Sequence, residues 1–118
     1  MYLIVFDGEQ AGWRLERDVL LAALRRDWPQ IAVTEIGEEV RDISWPLPGS
    51  DGLSEAYVHS DGTCLYVDGP IDQAAQWAVW YRRLVPDGID LMLCDDEYSF
   101  AVPVGPQTSA SELVTAGS

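Results

Sequence analysis

The sequence contains no lysine and no asparagine, and positive charge of any kind is scarce. Seven arginines face 20 aspartates and glutamates, so the formal net charge is −13 at pH 7. A surface this acidic repels nucleic acid and anionic membranes and attracts basic molecules. We therefore expect neither nucleic acid nor a membrane as a partner, and we expect a basic protein instead.

Cysteine is also rare, and long apolar runs are missing. The two cysteines, Cys64 and Cys94, are more typical of free thiols in a reducing cytoplasm than of a disulfide framework. No apolar stretch approaches the roughly 20 residues of a membrane span. The apolar start of the chain lacks a basic segment and soon reaches Asp7 and Glu9, which favours a first strand over a signal peptide. A cytoplasmic location is predicted.

The motifs of common active sites are absent as well. No Gly-x-Ser-x-Gly nucleophile elbow is present. The glycines at positions 8 and 12 follow a strand but belong to no phosphate-binding pattern. His59, the only histidine, forms no recognised zinc spacing with the cysteines. We predict no catalytic residue, no cofactor and no metal, and we do not expect an enzyme.

Hydrophobic patterning predicts two helices. The first extends from about Trp13 to Trp28 and ends there because Pro29 follows. The second opens at Gly69-Pro70, where proline suits the first helical turn, and continues to about Val85. A loop is expected over Pro48–Gly52.

Seven strands are predicted around these helices. Tyr2–Phe6 is a continuous apolar run, typical of a central strand that is covered on both faces. The other predicted strands are Ile31–Ile36, Val40–Leu47, Glu55–His59, Thr63–Val67, Leu91–Cys94 and Tyr98–Val104. The order β-α-β-β-β-β-α-β-β indicates an α+β fold of two layers, in which two helices pack on one face of a mixed, mostly antiparallel sheet. We expect one domain over residues 1–104 and a flexible tail over residues 105–118.

The densest group of carboxylates is the turn Asp95-Asp96-Glu97. A metal site there would need a further ligand such as Asp68. Adjacent residues of an extended chain point to opposite faces, so at most two of the three turn residues could bind one ion. A solvated or partner-facing turn is the favoured interpretation.

Trp80 occupies an unusual place on the second predicted helix. A helical wheel groups it with Gln73, Gln76 and Arg83, opposite the alanine-rich face of that helix. A tryptophan on a polar face either caps the edge of the sheet or anchors a partner, since tryptophan is enriched at binding hot spots. Both interpretations remain open at this point.

Three segments within His59–Val104 resemble a known class of protein. They read Asp-Gly-Thr-Cys-Leu-Tyr-Val-Asp-Gly, Trp-Ala-Val-Trp-Tyr-Arg-Arg-Leu-Val-Pro and Leu-Cys-Asp-Asp-Glu-Tyr. Together with its size and acidity, they make the chain similar to the small acidic immunity proteins of bacterial polymorphic toxin systems. The resemblance implies a cytoplasmic inhibitor that binds a basic toxin domain one to one and occludes its active site, the toxin acting on nucleic acid or nucleotides.

Under this hypothesis the toxin would meet an acidic rim with aromatic anchors. We assign the rim to Asp61, Asp68, Asp95, Asp96 and Glu97, and the anchors to Tyr98 and Trp80, with Tyr57 as a further candidate. Two alternatives remain. One is a small metal-dependent or acid/base enzyme that uses Asp68, Asp95 and His59, and the other is a non-catalytic regulatory homodimer.

Overall fold

The computed structural model describes residues 1–48 and 54–117. This part of the chain forms seven strands and four helices. The strands are β1 (Tyr2–Val5), β2 (Thr34–Glu35), β3 (Ile43–Pro46), β4 (Glu55–Val58), β5 (Cys64–Asp68), β6 (Met92–Asp95) and β7 (Ala101–Pro103). The helices are α1 (Gly8–Ala11), α2 (Arg17–Asp27), α3 (Ile71–Leu84) and α4 (Ala110–Ala116). The predicted α+β class is confirmed, whereas α1 and α4 were not predicted.

One sheet contains all seven strands, in the order β2-β3-β4-β5-β1-β6-β7. Every neighbouring pair among these strands is antiparallel, so the prediction of a mixed sheet was wrong. β5 and β6 pair with opposite sides of β1 and therefore run parallel to each other. The helical connection through α3 does return the chain in the same direction, but β1 lies between the two parallel strands.

The two long helices lie on the same face of the sheet, as predicted. Ile4, Leu65 and Leu93 occupy matching positions on three neighbouring strands, and each is 0% exposed. They belong to one hydrophobic core with Leu24 of α2 and Trp77 of α3. Alternation along the strands therefore directs one set of side chains into the helical layer.

The first long helix is shorter than predicted at its start. Gly12 ends α1 in the left-handed conformation, with φ of 64°, and Glu16 is still extended. The chain therefore cannot continue as one helix from Trp13, and α2 begins at Arg17. It ends at Asp27, close to the boundary that Pro29 imposes.

The C-terminal segment differs from the expected tail without regular structure, because it contains α4. Ser109 accepts a hydrogen bond from the backbone N–H of Glu112, and the Glu112 side chain accepts one from the backbone of Ser109. This reciprocal capping box stabilises the start of the helix. Leu113 is buried, and Gly117 lies close to Ile71. A helix of seven residues contains too few apolar positions to produce a clear periodicity.

Parts of two predicted segments lie outside the described residues, namely the Pro48–Gly52 loop beyond its first residue and the last residue of the predicted tail. Among the helices of residues 1–48 and 54–117, none is both long enough and apolar enough to cross a membrane.

Candidate functional site

β6 and β7 are joined by a turn, residues Asp95–Ser99, termed here the acidic hairpin. The Asp95 carboxylate accepts a hydrogen bond from the Ser99 backbone N–H at 2.7 Å and another from the Ser99 hydroxyl. The Asp95 carbonyl accepts the backbone N–H of Tyr98 at 3.1 Å. The hydrogen bonds from Ser99 hold the pKa of Asp95 below its ordinary value. Asp95 is therefore a charged residue that fixes the shape of the turn.

Tyr98 forms the tip of the acidic hairpin, and its side chain is 72% exposed. Its φ is 55°, the left-handed region, which costs a residue other than glycine of order 1–3 kcal/mol. Asp96 and Glu97 precede it and are both exposed. The Asp96 carboxylate lies 3.9 Å from the amino group of Met1 and remains largely exposed. The tip thus presents one aromatic ring beside two exposed carboxylates, and the structure brings together the four site residues predicted from Asp95 to Tyr98.

Asp68, a further predicted site residue, lies at the same end of the sheet. Tyr2 pairs with Val67 on one side and with Asp95 on the other. Asp68 and the acidic hairpin are therefore separated by one strand, a distance of roughly 10 Å across two strand spacings. Glu55 lies opposite Asp68 on β4, but its carboxylate is bonded to Arg41.

Asp61 lies at the opposite end of β5, in the turn between β4 and β5. Its carboxylate accepts hydrogen bonds from the Thr63 backbone at 3.0 Å and the Thr63 hydroxyl at 2.7 Å. The Nδ1 atom of His59 lies 2.9 Å from the same carboxylate. Partial burial raises the pKa of Asp61, but the hydrogen bonds from Thr63 outweigh burial and lower it overall. The predicted acidic rim is thus divided between two ends of the sheet.

A cleft of about 780 Å³ lies beside Asp61. The rings of Phe6 and Trp13, with centroids 5.6 Å apart, line it together with acidic side chains that include Asp7. Asp7 accepts the backbone N–H of Gln10 at 3.0 Å and so caps α1. Like Asp61, it has a local structural role, and neither residue is held free for a ligand.

Trp80 does not lie on an exposed face, and the prediction that it anchors a partner is not supported. Its side chain is 3% exposed, and its ring packs edge-on against Trp77 with centroids 5.2 Å apart. Its indole N–H donates to the Asp27 carboxylate at 2.9 Å. The helical wheel was misleading because the end of α2, a separate element, covers this side of α3.

The three residues of the alternative enzyme hypothesis are not assembled into one site. The His59 backbone bonds to Cys64 at the start of β5, whereas Asp68 is at the end of that strand and Asp95 lies beyond β1. Within residues 1–48 and 54–117, no group of three or more histidine, cysteine, aspartate or glutamate side chains is placed to hold a metal ion. Burial raises the pKa of the Cys64 thiol to about 12, so this thiol is protonated near neutral pH.

The face of the sheet opposite the helices, termed the open face, was not predicted as the toxin-binding surface, although the candidate residues Tyr57 and Asp68 lie on it. No helix of the described residues covers it, so the expectation that both faces of β1 are covered was wrong. Its outward side chains on β5, β1 and β6 are apolar or aromatic except at the strand ends. They are Cys64, Tyr66, Leu3, Val5, Met92 and Cys94. The unbroken apolar run of β1 was the sequence signal for an apolar open face. In a strand with one face in water, apolar and polar residues normally alternate.

Aromatic rings continue the open face onto β4. Tyr57 stacks on Tyr66 with centroids 4.7 Å apart and an interplanar angle of 17°. The Arg41 guanidinium lies 4.2 Å from the Tyr57 ring centroid and bonds to the Glu55 carboxylate at 2.5 Å. Tyr57, named as a possible anchor, is 8% exposed, so less of it can reach a partner than of Tyr66, which is partly exposed.

Comparisons of the chain with protein-family models, with curated proteins and with solved structures found no match. The functional proposal therefore depends on the residues themselves and on the two surfaces described above, the acidic hairpin and the open face.

Proposed function

We propose that this chain is a cytoplasmic immunity protein, which binds a basic bacterial toxin domain and neutralises it by occluding the active site. The observation that supports this function best is the tip of the acidic hairpin. Tyr98 is 72% exposed there, beside the exposed carboxylates of Asp96 and Glu97. An exposed aromatic ring among charges is the composition of a protein-binding surface.

Charge supports a basic partner. The formal net charge is −13, and the acidic hairpin shares its end of the sheet with the exposed Asp68. A toxin domain that acts on nucleic acid or nucleotides needs positive groups where phosphates bind, and carboxylates can occupy those positions. Complementary charge of this kind raises association rates by roughly one to three decades at low salt.

The shape of the acidic hairpin favours binding for a second reason. The hydrogen bonds between Asp95 and Ser99 hold the turn closed before a partner arrives, so Tyr98 is presented without a large loss of conformational freedom on binding. A tyrosine side chain has few rotatable bonds and combines apolar area with a polar tip, which suits it as an anchor.

The proposal is tested with the protein domain encoded beside this chain, purified in a catalytically inactive form. The variant Asp96→Asn/Glu97→Gln removes two charges from the acidic hairpin and keeps the Asp95–Ser99 bonds. We expect its association rate constant at low salt to fall about three- to tenfold, with a weaker dependence on salt, because electrostatic steering is reduced. Stopped-flow fluorescence at several salt concentrations measures both quantities.

The matched control is Glu38→Gln/Asp87→Asn, which removes the same net charge from two exposed positions outside the acidic hairpin. At about 0.1 M salt its association rate should remain within about twofold of the wild-type value, since charges farther from the contact than the Debye length of about 10 Å are largely screened. Failure of the wild-type chain to bind this domain, or to protect cells that express the active domain, would contradict the proposed function.

A further inference from the structure

The open face has a composition that is unusual for a sheet surface in water. In antiparallel sheets with one packed face, the other face is commonly polar. Here Leu3 and Val5 point outward from the central strand, with Tyr66 and Met92 beside them, and all four are partly exposed. Contiguous apolar surface rimmed by polar groups marks a site of protein interaction.

We infer that the open face is the surface that the basic toxin domain covers, with an apolar patch of the toxin over Leu3, Tyr66 and Met92. This inference rests on the proposed function and extends it. It assigns the apolar centre of the interface, whereas the acidic hairpin supplies the charged margin next to it.

The arrangement of charge around the open face determines what kind of patch fits. Asp68 lies opposite Glu55 at one end of β4 and β5, and its alternation with Val67 places its side chain on the open side. The Glu55 carboxylate is already bonded to Arg41, so Asp68 is the exposed charge at this margin. The acidic hairpin follows β6 at the same end. The complementary partner therefore has apolar side chains at its centre and arginine or lysine side chains along one margin.

A second copy of this chain is a poorer occupant. Two copies would each have a net charge of −13, and a two-fold contact places the same surface of each copy against the other. Self-complementarity would require free positive groups on that surface. Arg41 stacks on Tyr57 of the open face, but its guanidinium is already bonded to Glu55.

The test compares two double variants for binding to the inactive domain encoded beside this chain. Leu3→Thr/Met92→Thr makes the centre of the open face polar, and threonine retains a high preference for strands. Val19→Thr/Ile36→Thr makes the same kind of change at two exposed apolar residues elsewhere, which are 51% and 36% exposed. We expect the dissociation constant to rise about tenfold or more for the first variant, because apolar side chains at the centre of an interface dominate affinity. The second should stay within about twofold.

A photo-crosslinking side chain provides a second measurement, which does not depend on whether the double variant folds. Placed at Tyr66 on the open face, it should crosslink to the inactive domain, and placed at Val19 on α2 it should not. Crosslinks from position 19 alone, or full affinity in a folded Leu3→Thr/Met92→Thr variant, would overturn this inference and leave the proposed function standing.

Two results with the wild-type chain, a lack of binding and self-association, have different consequences. If the wild-type chain does not bind the domain at all, the proposed function fails and this inference fails with it. If sedimentation of the wild-type chain alone shows a dimer that Leu3→Thr/Met92→Thr dissociates, the open face binds a second copy, and the assignment to a basic partner is overturned.

Discussion

The two faces of the sheet are both largely apolar at their centre, but helices of the described residues cover only one of them. On the open face Cys64 and Cys94 are buried, whereas Leu3, Tyr66 and Met92 remain partly exposed. Ile4 points into the helical layer and is 0% exposed, whereas its neighbour Leu3 points to the open face and is only partly buried. Full burial of such a side chain contributes about 1.5–3 kcal/mol. Burial of the covered face already stabilises the folded chain. The open face is only partly buried, so a partner that covers it would gain the rest of this free energy on binding. Apolar composition of a strand therefore does not by itself indicate intramolecular packing.

Truncation of adjacent residues on β1 should produce the largest difference between the faces. Ile4→Ala is expected to lower the free energy of unfolding by about 2–5 kcal/mol, because it leaves a cavity in the core. Leu3→Ala should cost about 1 kcal/mol, because its side chain is already partly in water. Urea unfolding of both variants measures the contrast. Equal losses would show that the open face is packed in the isolated chain.

A change at the start of α4 should lower stability less than Ile4→Ala does, and it should not change binding to the inactive domain. Ser109→Ala removes the side chain that caps this helix, which we expect to cost about 1 kcal/mol. Ser111→Ala, inside the same helix, is the matched control and should cost less. Hydrogen exchange of residues 110–116 reports the loosening directly. A weaker affinity for the inactive domain in Ser109→Ala would show that the helical side takes part in the interface.

The smallest effect is expected at Asp27, on the helical side. Hydrogen bonds from Arg26, and then from Trp80, lower its pKa to about 2. A lowered carboxylate pKa contributes stability that is present above the ordinary pKa near 4 and is lost as pH falls through about 2. Asp27→Asn should therefore change stability little at acid pH and should flatten the decline between about pH 4 and 2. Asp18→Asn, on the same helix, is the control in pH-dependent urea unfolding, and an unchanged decline in Asp27→Asn would contradict the role of this carboxylate.

The features that sequence analysis predicted well are determined by neighbouring residues. The predicted strands Glu55–His59 and Thr63–Val67 are close in sequence, and they correspond to β4 and β5, which pair directly. Pro29 and Pro70 bound the long helices. The acidic turn was predicted for the same reason, since its residues are consecutive in the chain and therefore lie together at one tip.

The features that sequence analysis missed depend on contacts between distant segments of the chain. Trp80 is buried because the end of α2 covers it through Asp27, which a wheel of α3 alone cannot show. β1 is covered on one face because α2 and α3 both pack on the same side. The strand pattern shows that β1 is apolar on both sides, but it contains no information on how many helices are available to cover them.

The position of β1 at the centre of the sheet has a consequence for synthesis on the ribosome. This strand is made before both of its partners, because β5 and β6 lie about 60 and 90 residues later in the chain. Pairings of such long range are slow to form, and an unpaired apolar strand is prone to aggregation meanwhile. The apolar segment Tyr2–Phe6 therefore remains unpaired until β5 and β6 have been translated. The net negative charge of the chain opposes association between copies that still expose this strand.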